Sequence, residues 1–354
     1  MSYADRENTL PTYVNAVINE INLRAVAGAK ISTIYIGGGT PSLLSTASIK
    51  RLLDALQHYY QIDQNVEITL EANPGTIDFA YLQALRAIGI NRLSLGIQSL
   101  DESELMLLGR IHTATQAQTA IRQAQQAGFD NISLDFIYGI PGRQGKLWEA
   151  MLCDIPKLGM QHISLYGLTI EEGTLLHQRI ECGEVETQDN DIAATEYEIA
   201  SKVLEHAGLR QYEISNWALP GYESRHNTAY WLRTPYIGLG VASHSFLDEK
   251  RIANTSSLDE YLSYLAQDQL PPQTIEAIDH ATALAESLIL GLRLNQGVAA
   301  DDIQAQFSID LYSHFAQPIE ECISLGLLEQ YENILRLTSR GRLLGNEVFW
   351  RFLP

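Results

Sequence analysis

The sequence predicts an α/β protein: a barrel-like array of parallel strands with crossover helices, then a small domain of helices, a hairpin and a last helix. Three observations predict it. Short β-branched runs alternate with helix-spaced segments through residue 215, and strand, helix, strand, repeated, gives parallel strands with right-handed crossovers. Polar and glycine-rich residues gather at the C-terminal ends of those strands, the edge where parallel α/β folds build their sites. Beyond residue 280, three short helical patterns precede two short strands.

The expected strands are STIYIGGG (32–39), VEITLEAN (66–73), RLSLGIQS (92–99), NISLDFIYG (131–139), HISLYGLT (162–169) and QYEIS (211–215). Helical spacing appears over 12–26, 45–60, 78–88, 101–108, 114–127, 147–158 and 190–207. A doubly wound sheet would concentrate its signals at the first strand-to-helix turn. Here they lie on several strand ends: Gly37 to Thr40, Glu71 to Pro74, Gln98-Ser99, Asp135 and Tyr166 to Thr169. That spread favours a barrel facing one cavity. The chain opens with a helix where a βα barrel would start with a strand, as if its first unit were cut off.

Residues 216–246 are rich in aromatics, glycine and polar residues, and read as irregular structure over the barrel mouth. The segment 267–279 has Pro-Pro and no apolar period, and reads as a linker. The expected domains are therefore 1–215, 216–266, the linker 267–279, and 280–354. In the last, helical patterns (281–292, 299–306, 310–325), two strands and a closing helix near Ser339 resemble a winged helix. From 279 onward 5 Arg face 10 Asp and Glu with no Lys, so DNA binding is not expected and a packing role is.

The full chain of 354 residues has 24 Lys and Arg against 43 Asp and Glu, a net charge of −19. Binding to nucleic acid or to anionic membranes is not expected, because both need basic side chains. No run of 18 or more apolar residues offers a membrane span, and no basic, then apolar, leader opens the chain. The expected location is the cytoplasm. The cysteines, Cys153, Cys182 and Cys322, are far apart in sequence and form no CxxC or CxxxCxxC, so neither a disulfide framework nor a local cluster motif is expected.

Several residues have a chemical and a bland reading. Gly37-Gly38-Gly39-Thr40 either brings backbone groups close to a ligand or makes a tight turn. Glu71 at a strand end either binds an amine or ribose or caps the next helix. Asp135 stands in an apolar strand, where a carboxylate is costly unless paired; it serves a site or pairs with Arg110. Gln98 joins Glu71, Arg110 and Asp135 as a set if their strands share one cavity. In His226-Asn227-x-x-Tyr230-Trp231, His226 either meets a planar, iron-bearing ligand or pins the loop. His244 is a weaker candidate of the same kind.

These motifs carry a family resemblance. IYIGGGTPSLLS (34–45), EITLEANPGTID (67–78), NRLSLGIQSLDESELMLLGRIHT (91–113), GFDNISLDFIYGIPGR (128–143), HISLYGLTIEEGT (162–174), RQYEISNWALPG (210–221) and HNTAYW (226–231) occur in order. The chain resembles the radical S-adenosylmethionine (SAM) proteins of the oxygen-independent coproporphyrinogen III oxidase group, from about residue 10 to its end. The resemblance implies a partial (β/α) barrel, here with its first strand missing, and a small C-terminal winged-helix-like domain. It implies that Gly37, Gly38, Gly39 and Thr40 hold the amino-acid portion of SAM. Glu71, Gln98, Arg110 and Asp135 would be its polar contacts, and Thr169 would lie near the adenine. The HNxxYW segment is similar to that of the group's heme chaperones, which implies heme at His226 and heme-accepting partner proteins; a homodimer stays open. The family's [4Fe–4S] cluster sits on a CxxxCxxC that this chain lacks, so no cluster and no oxidase activity are expected. Three functions remain open at this point: a heme chaperone, an anaerobic coproporphyrinogen decarboxylase, and a cluster-free SAM-binding scaffold.

Overall fold

The computed structural model describes residues 7–26, 28–143, 145–187 and 189–354. The alternation read from the sequence appears as alternating elements. In order they are α1 (Leu10–Leu23), β1 (Lys30–Ile36), α2 (Thr46–Tyr59), β2 (Gln61–Ala72), α3 (Phe79–Ala87), β3 (Arg92–Gln98), α4 (Glu102–Leu107), α5 (Ala114–Gln126) and β4 (Ile132–Tyr138). They continue with α6 (Gly145–Asp154), β5 (His162–Gly167), α7 (Leu175–Glu181), α8 (Asn190–His206), β6 (Arg210–Glu213) and β7 (Asn216–Ala218). Local chemistry starts the helices. Ser45, Asp78, Asp101 and Thr113 accept backbone N–H groups in the first turns of α2, α3, α4 and α5, and Thr113 with Gln116 forms a reciprocal capping box. Each cap satisfies a donor that has no partner within the helix, and contributes about 1 kcal/mol.

The seven strands form one sheet in the order β1-β2-β3-β4-β5-β7-β6, a half-barrel of the expected class. From β2 to β5 they run parallel, with Thr69 opposite Arg92, Ser94 opposite Ser133 and Asp135 opposite Ser164. One expectation is corrected. The run at 211–215 is not a further parallel strand. Only Ile214 and Ser215 join β6 to β7, too few for a crossover, so the two form an antiparallel hairpin. It is β7 that pairs with β5, antiparallel, with His162 opposite Ala218.

Side-chain alternation explains why this sheet carries a site. Leu70, Leu93, Leu95, Ile132, Leu134, Phe136, Ile163 and Leu165 are fully buried. Between them stand Thr69, Glu71, Arg92, Ser94, Ser133, Asp135, His162 and Ser164. A parallel sheet covered on both faces reads as an unbroken apolar run. Here the period of two gives one apolar face and one polar face, with α5 against β3 and α8 against β4.

The chain divides into two compact units. The first consists of residues 35–43 and 67–223. The second takes the chain up to Ile34, then 44–66, then everything from Ser224. In this second unit α1 packs against α2 and against the later helix α10 (Leu258–Leu265), with Ile21, Tyr60 and Tyr261 in its core.

From Ser224 the second unit continues with α9 (Arg225–Trp231), β8 (His244–Leu247), β9 (Lys250–Asn254), α10 (Leu258–Leu265) and β10 (Gln273–Ala277). The stretch 216–246 is thus less irregular than expected, containing β7, α9 and the start of β8. Strands β8, β9 and β10 make an antiparallel sheet, with Gln273 opposite Asn254. The segment expected as a linker therefore carries a strand. Most side chains of β10 are exposed, which is why it shows no apolar period.

The C-terminal part holds α11 (His280–Gly291), β11 (Val298–Ala299), α12 (Ala300–Phe307), α13 (Leu311–His314), α14 (Ala316–Ser324), β12 (Leu328–Tyr331), β13 (Ile334–Leu337), α15 (Ser339–Leu343) and α16 (Gly345–Phe349). Its strands pair antiparallel in the order β11-β13-β12 behind the helices, the winged-helix-like arrangement expected.

Candidate functional site

In the first unit the ends of the parallel strands enclose a cavity of about 200 Å³, lined among others by Gly39, Thr40, Glu71, Asn73, Gln98 and Asp135. Close packing without side chains shapes its walls. A Cβ on Gly37 would stand 2.5 Å from the Tyr35 ring and 3.0 Å from the Glu71 carboxyl carbon. A Cβ on Gly96 would stand 3.0 Å from Gln98 Nε2 and 3.2 Å from Asn73 Oδ1. Gly38 and Gly39 lie at φ +78° and +49°, where glycine meets no steric penalty.

Two carboxylates dominate. Glu71 accepts the Tyr35 hydroxyl at 2.6 Å through Oε1 and the Gly38 N–H at 3.1 Å through Oε2. Asp135 accepts Ser94 Oγ at 2.8 Å and Ser133 Oγ at 3.1 Å, and Ser164 also bonds it. Ser133 also meets His162 Nδ1 at 2.8 Å, and His162 Nε2 meets the Tyr212 hydroxyl at 2.8 Å. Burial raises both carboxyls above their usual range. The Tyr35 hydroxyl and the Gly38 N–H oppose this at Glu71; Ser164, Ser94, Arg92 and Ser133 oppose it at Asp135. Burial also pushes the phenol of Tyr35 up, with the Glu71 charge beside it, so it remains protonated. The cavity presents two chargeable carboxyls beside hydroxyls and side-chain amides, and suits a ligand that carries both donors and acceptors.

Gln98 stands at the end of β3 in an unusual backbone state. The register with β4 shifts between Gly96 and Gln98, and Gln98 lies at φ +68°. A residue with a side chain pays about 1–3 kcal/mol for such a conformation.

The expected residues divide. Gly39, Thr40, Glu71, Gln98 and Asp135 line one cavity, and Gly37 and Gly38 adjoin it through Glu71. Arg110 and Thr169 are exposed and are not among the lining residues. Arg110 is not the hydrogen-bonding partner of Asp135: the nearby serines satisfy the carboxylate, and the buried Arg92 is the cation that favours its charge. Asn73 and Tyr166, which the sequence placed among the polar strand ends without a role, line the cavity, and so does Ser94, which it did not single out. The period-two alternation could have found Ser94, which lies one residue pair before Gly96 on β3.

His226 belongs to the second unit. It is the second residue of α9, which is capped by Ser224 accepting the Asn227 N–H at 3.2 Å. Its Nδ1 meets Thr33 Oγ1 at 2.9 Å, and its Nε2 meets the Tyr230 hydroxyl at 2.9 Å. Edge-to-face contacts link its ring to Tyr230 at 4.9 Å and Tyr230 to Tyr236 at 4.7 Å. Burial pushes the Tyr230 phenol up to about 12. The Arg293 guanidinium lies 4.2 Å over the Trp231 ring. Both imidazole nitrogens are thus engaged, and iron ligation by His226 requires one of these bonds to open.

The cysteines do not fit an iron–sulfur cluster. Cys153 is exposed on α6, Cys182 is exposed at the end of α7, and Cys322 is buried in α14. Among the described residues no group of three His, Cys, Asp or Glu could hold a metal ion.

A profile of the radical SAM superfamily matches residues 8–152, and one of the HemN C-terminal domain matches 278–344. The E. coli coproporphyrinogen III oxidase HemN, described as a radical SAM enzyme, superimposes with a TM-score of 0.85 at 22% identity, covering 99% of this chain and 84% of that one. The fold is thus that of a radical SAM enzyme, and the superfamily profile covers its N-terminal part.

The heme chaperone HemW of Bacillus subtilis is 32% identical over 99% of this chain and 93% of its own. The mitochondrial radical S-adenosyl methionine domain-containing protein 1 of Mus musculus is 32% identical over 97% of this chain and 80% of its own. The chain belongs to the HemW family.

The residues at the cavity fit the SAM that the superfamily implies. Glu71 and Asp135 offer carboxylates to an ammonium and to hydroxyls, and a Cβ at Gly37 would close the cradle beside Glu71.

Proposed function

We propose that this chain binds heme and passes it to acceptor proteins, and that the strand-end cavity takes SAM. The observation that carries the heme reading is the likeness of nearly the whole chain to proteins named for heme chaperoning. His226 supports it, as an imidazole flanked by Tyr230, Tyr236 and Trp231 suits a flat apolar macrocycle with one metal bond. The cytoplasm is the proposed location. Among the described residues no helix is long and apolar enough to cross a membrane.

When bound, SAM supplies a sulfonium cation joined to an amino acid and an adenosine. In this reading the backbone from Gly37 to Thr40 meets the carboxylate of the amino-acid end, and Glu71 its ammonium. Asp135 and Gln98 serve as polar contacts deeper in the cavity. Arg110 and Thr169 stand outside it, so they reach only a part of the ligand that extends beyond. The cluster ligands the family would need are not supplied by the described residues, and no reaction step is assigned.

The heme reading predicts a specific, saturable site. Heme titration should give a saturable Soret shift. His226→Ala should change its position and weaken binding about tenfold or more, with the circular dichroism spectrum intact. An unchanged spectrum and affinity in that variant would make His226 a loop-pinning residue, held by Thr33 and Tyr230, and would remove it from the heme site.

A further inference from the structure

The turn at the end of β3 is built more elaborately than a strand end requires. The Ser99 N–H donates to the Ile97 carbonyl at 2.9 Å across Gln98, whose φ is +68°. A hydrogen bond spanning one residue at that φ is the strained form of γ-turn, which is rare. The register accounts for its use. Past the shift, Gln98 pairs with Phe136, which is fully buried on the apolar face. Gln98 nevertheless lines the cavity, and the left-handed turn reconciles the two.

Such a conformation persists only where its surroundings over-determine it, and two groups do so here. His112, 4% exposed, donates from Nε2 to the same Ile97 carbonyl at 3.1 Å. On the far side Ser99 Oγ donates to Glu104 and accepts the Asp101 N–H at 3.0 Å. Glu104 is in turn held by both Nε and Nη2 of Arg143, each at 2.6 Å. The peptide before Gln98 and the residue after it are therefore both fixed.

We propose that His112 is a positioning residue for the ligand of this cavity. By fixing the Ile97 carbonyl it holds the γ-turn that aims Gln98 inward, although His112 is not among the residues lining the cavity. The inference deepens the SAM reading given above and rests on it for ligand affinity. The holding of the turn is tested without ligand.

The experiment uses the full chain with His112→Leu, which keeps volume but removes the donor, and His112→Gln, which restores an N–H donor. Gln98→Ala and the double variant His112→Leu/Gln98→Ala complete a cycle. Calorimetry reads SAM affinity, and amide hydrogen exchange reads the Ser99 N–H. His112→Leu should weaken SAM about tenfold and speed Ser99 exchange about tenfold or more, and His112→Gln should recover most of both. In the Gln98→Ala background His112→Leu should cost less than about twofold, because its route to the ligand is gone. Equal losses with and without Gln98 would overturn the proposal, as would unchanged Ser99 exchange in His112→Leu. Should His112→Leu fail to fold, Gln98→Gly tests the same link: affinity should fall while the melting temperature holds or rises, because glycine needs no holder at this φ. A fall in both would overturn the proposal. If the wild-type chain binds no SAM, the cavity reading fails, and Ser99 exchange alone decides whether His112 holds the turn.

Discussion

Asp135→Asn separates binding from stability at one atom pair. The carboxylate has about four acceptor positions. Ser94, Ser133 and Ser164 occupy three of them, which leaves about one for a ligand. A single charge-assisted hydrogen bond contributes about 1.5–3 kcal/mol, so the amide should weaken SAM roughly 10- to 150-fold. Stability should move the other way. Burial raises the folded-state pKa of Asp135 above its unfolded value despite Arg92 and the serines. The native state then holds the proton longer, and stability falls as pH climbs from the unfolded value, about 4, through the raised one. Asn carries no such penalty, so the variant without ligand should gain on the wild type over that range and keep the gain at neutral pH. Calorimetry with SAM and urea denaturation across pH read the two effects. Unchanged affinity would remove Asp135 from the site. A variant less stable than wild type at neutral pH would show that the carboxylate's charge is worth more to Arg92 than its desolvation costs.

Tyr35→Phe removes the hydroxyl that lowers the Glu71 pKa. Glu71 should then ionise only at higher pH, and the acid limb of a SAM-affinity profile should move upward; a fixed limb would uncouple Glu71 from the ligand. Arg143→Met leaves Glu104 and Glu196 facing each other without their buried guanidinium, 1% exposed. It should cost about 3–5 kcal/mol in urea denaturation, while adding Glu104→Gln should recover part of that. Anaerobic reconstitution of this chain with iron and sulfide should leave it without a cluster chromophore, because its cysteines stand on separate elements. Stoichiometric iron with a brown spectrum would contradict that placement.

The βα succession was legible because apolar side chains recur every second residue in β3, β4 and β5, and every third or fourth in the helices between. The β6–β7 hairpin was not, because Ile214-Ser215 has none of the Gly or Asn residues that mark tight turns. Strand β10 was hidden by its exposure. Glu71, Gln98 and Asp135 attracted notice as polar residues at or near strand ends, and they do share a cavity. What surrounds them was harder to read. Three serines satisfy Asp135, and only the period-two alternation of β3, β4 and β5 places them on its face. Arg92 opens β3, far in sequence from the carboxylate it favours. The γ-turn is invisible because nothing but glycine normally advertises a positive φ. Arg110 drew attention in GRIHT, whereas the buried member of that segment is His112.

The interleaving of the two units bears on synthesis and dissection. The chain changes unit after Ile34, Leu43, Val66 and Glu223, so no single cut yields either unit whole. The unit of residues 35–43 and 67–223 is fully translated while the other still lacks everything from Ser224. On the ribosome the half-barrel unit can thus mature first, while α1 and α2 wait with their apolar faces uncovered for α10, encoded some 200 residues later. That delay makes the nascent N-terminal helices the stretch most in need of a holdase.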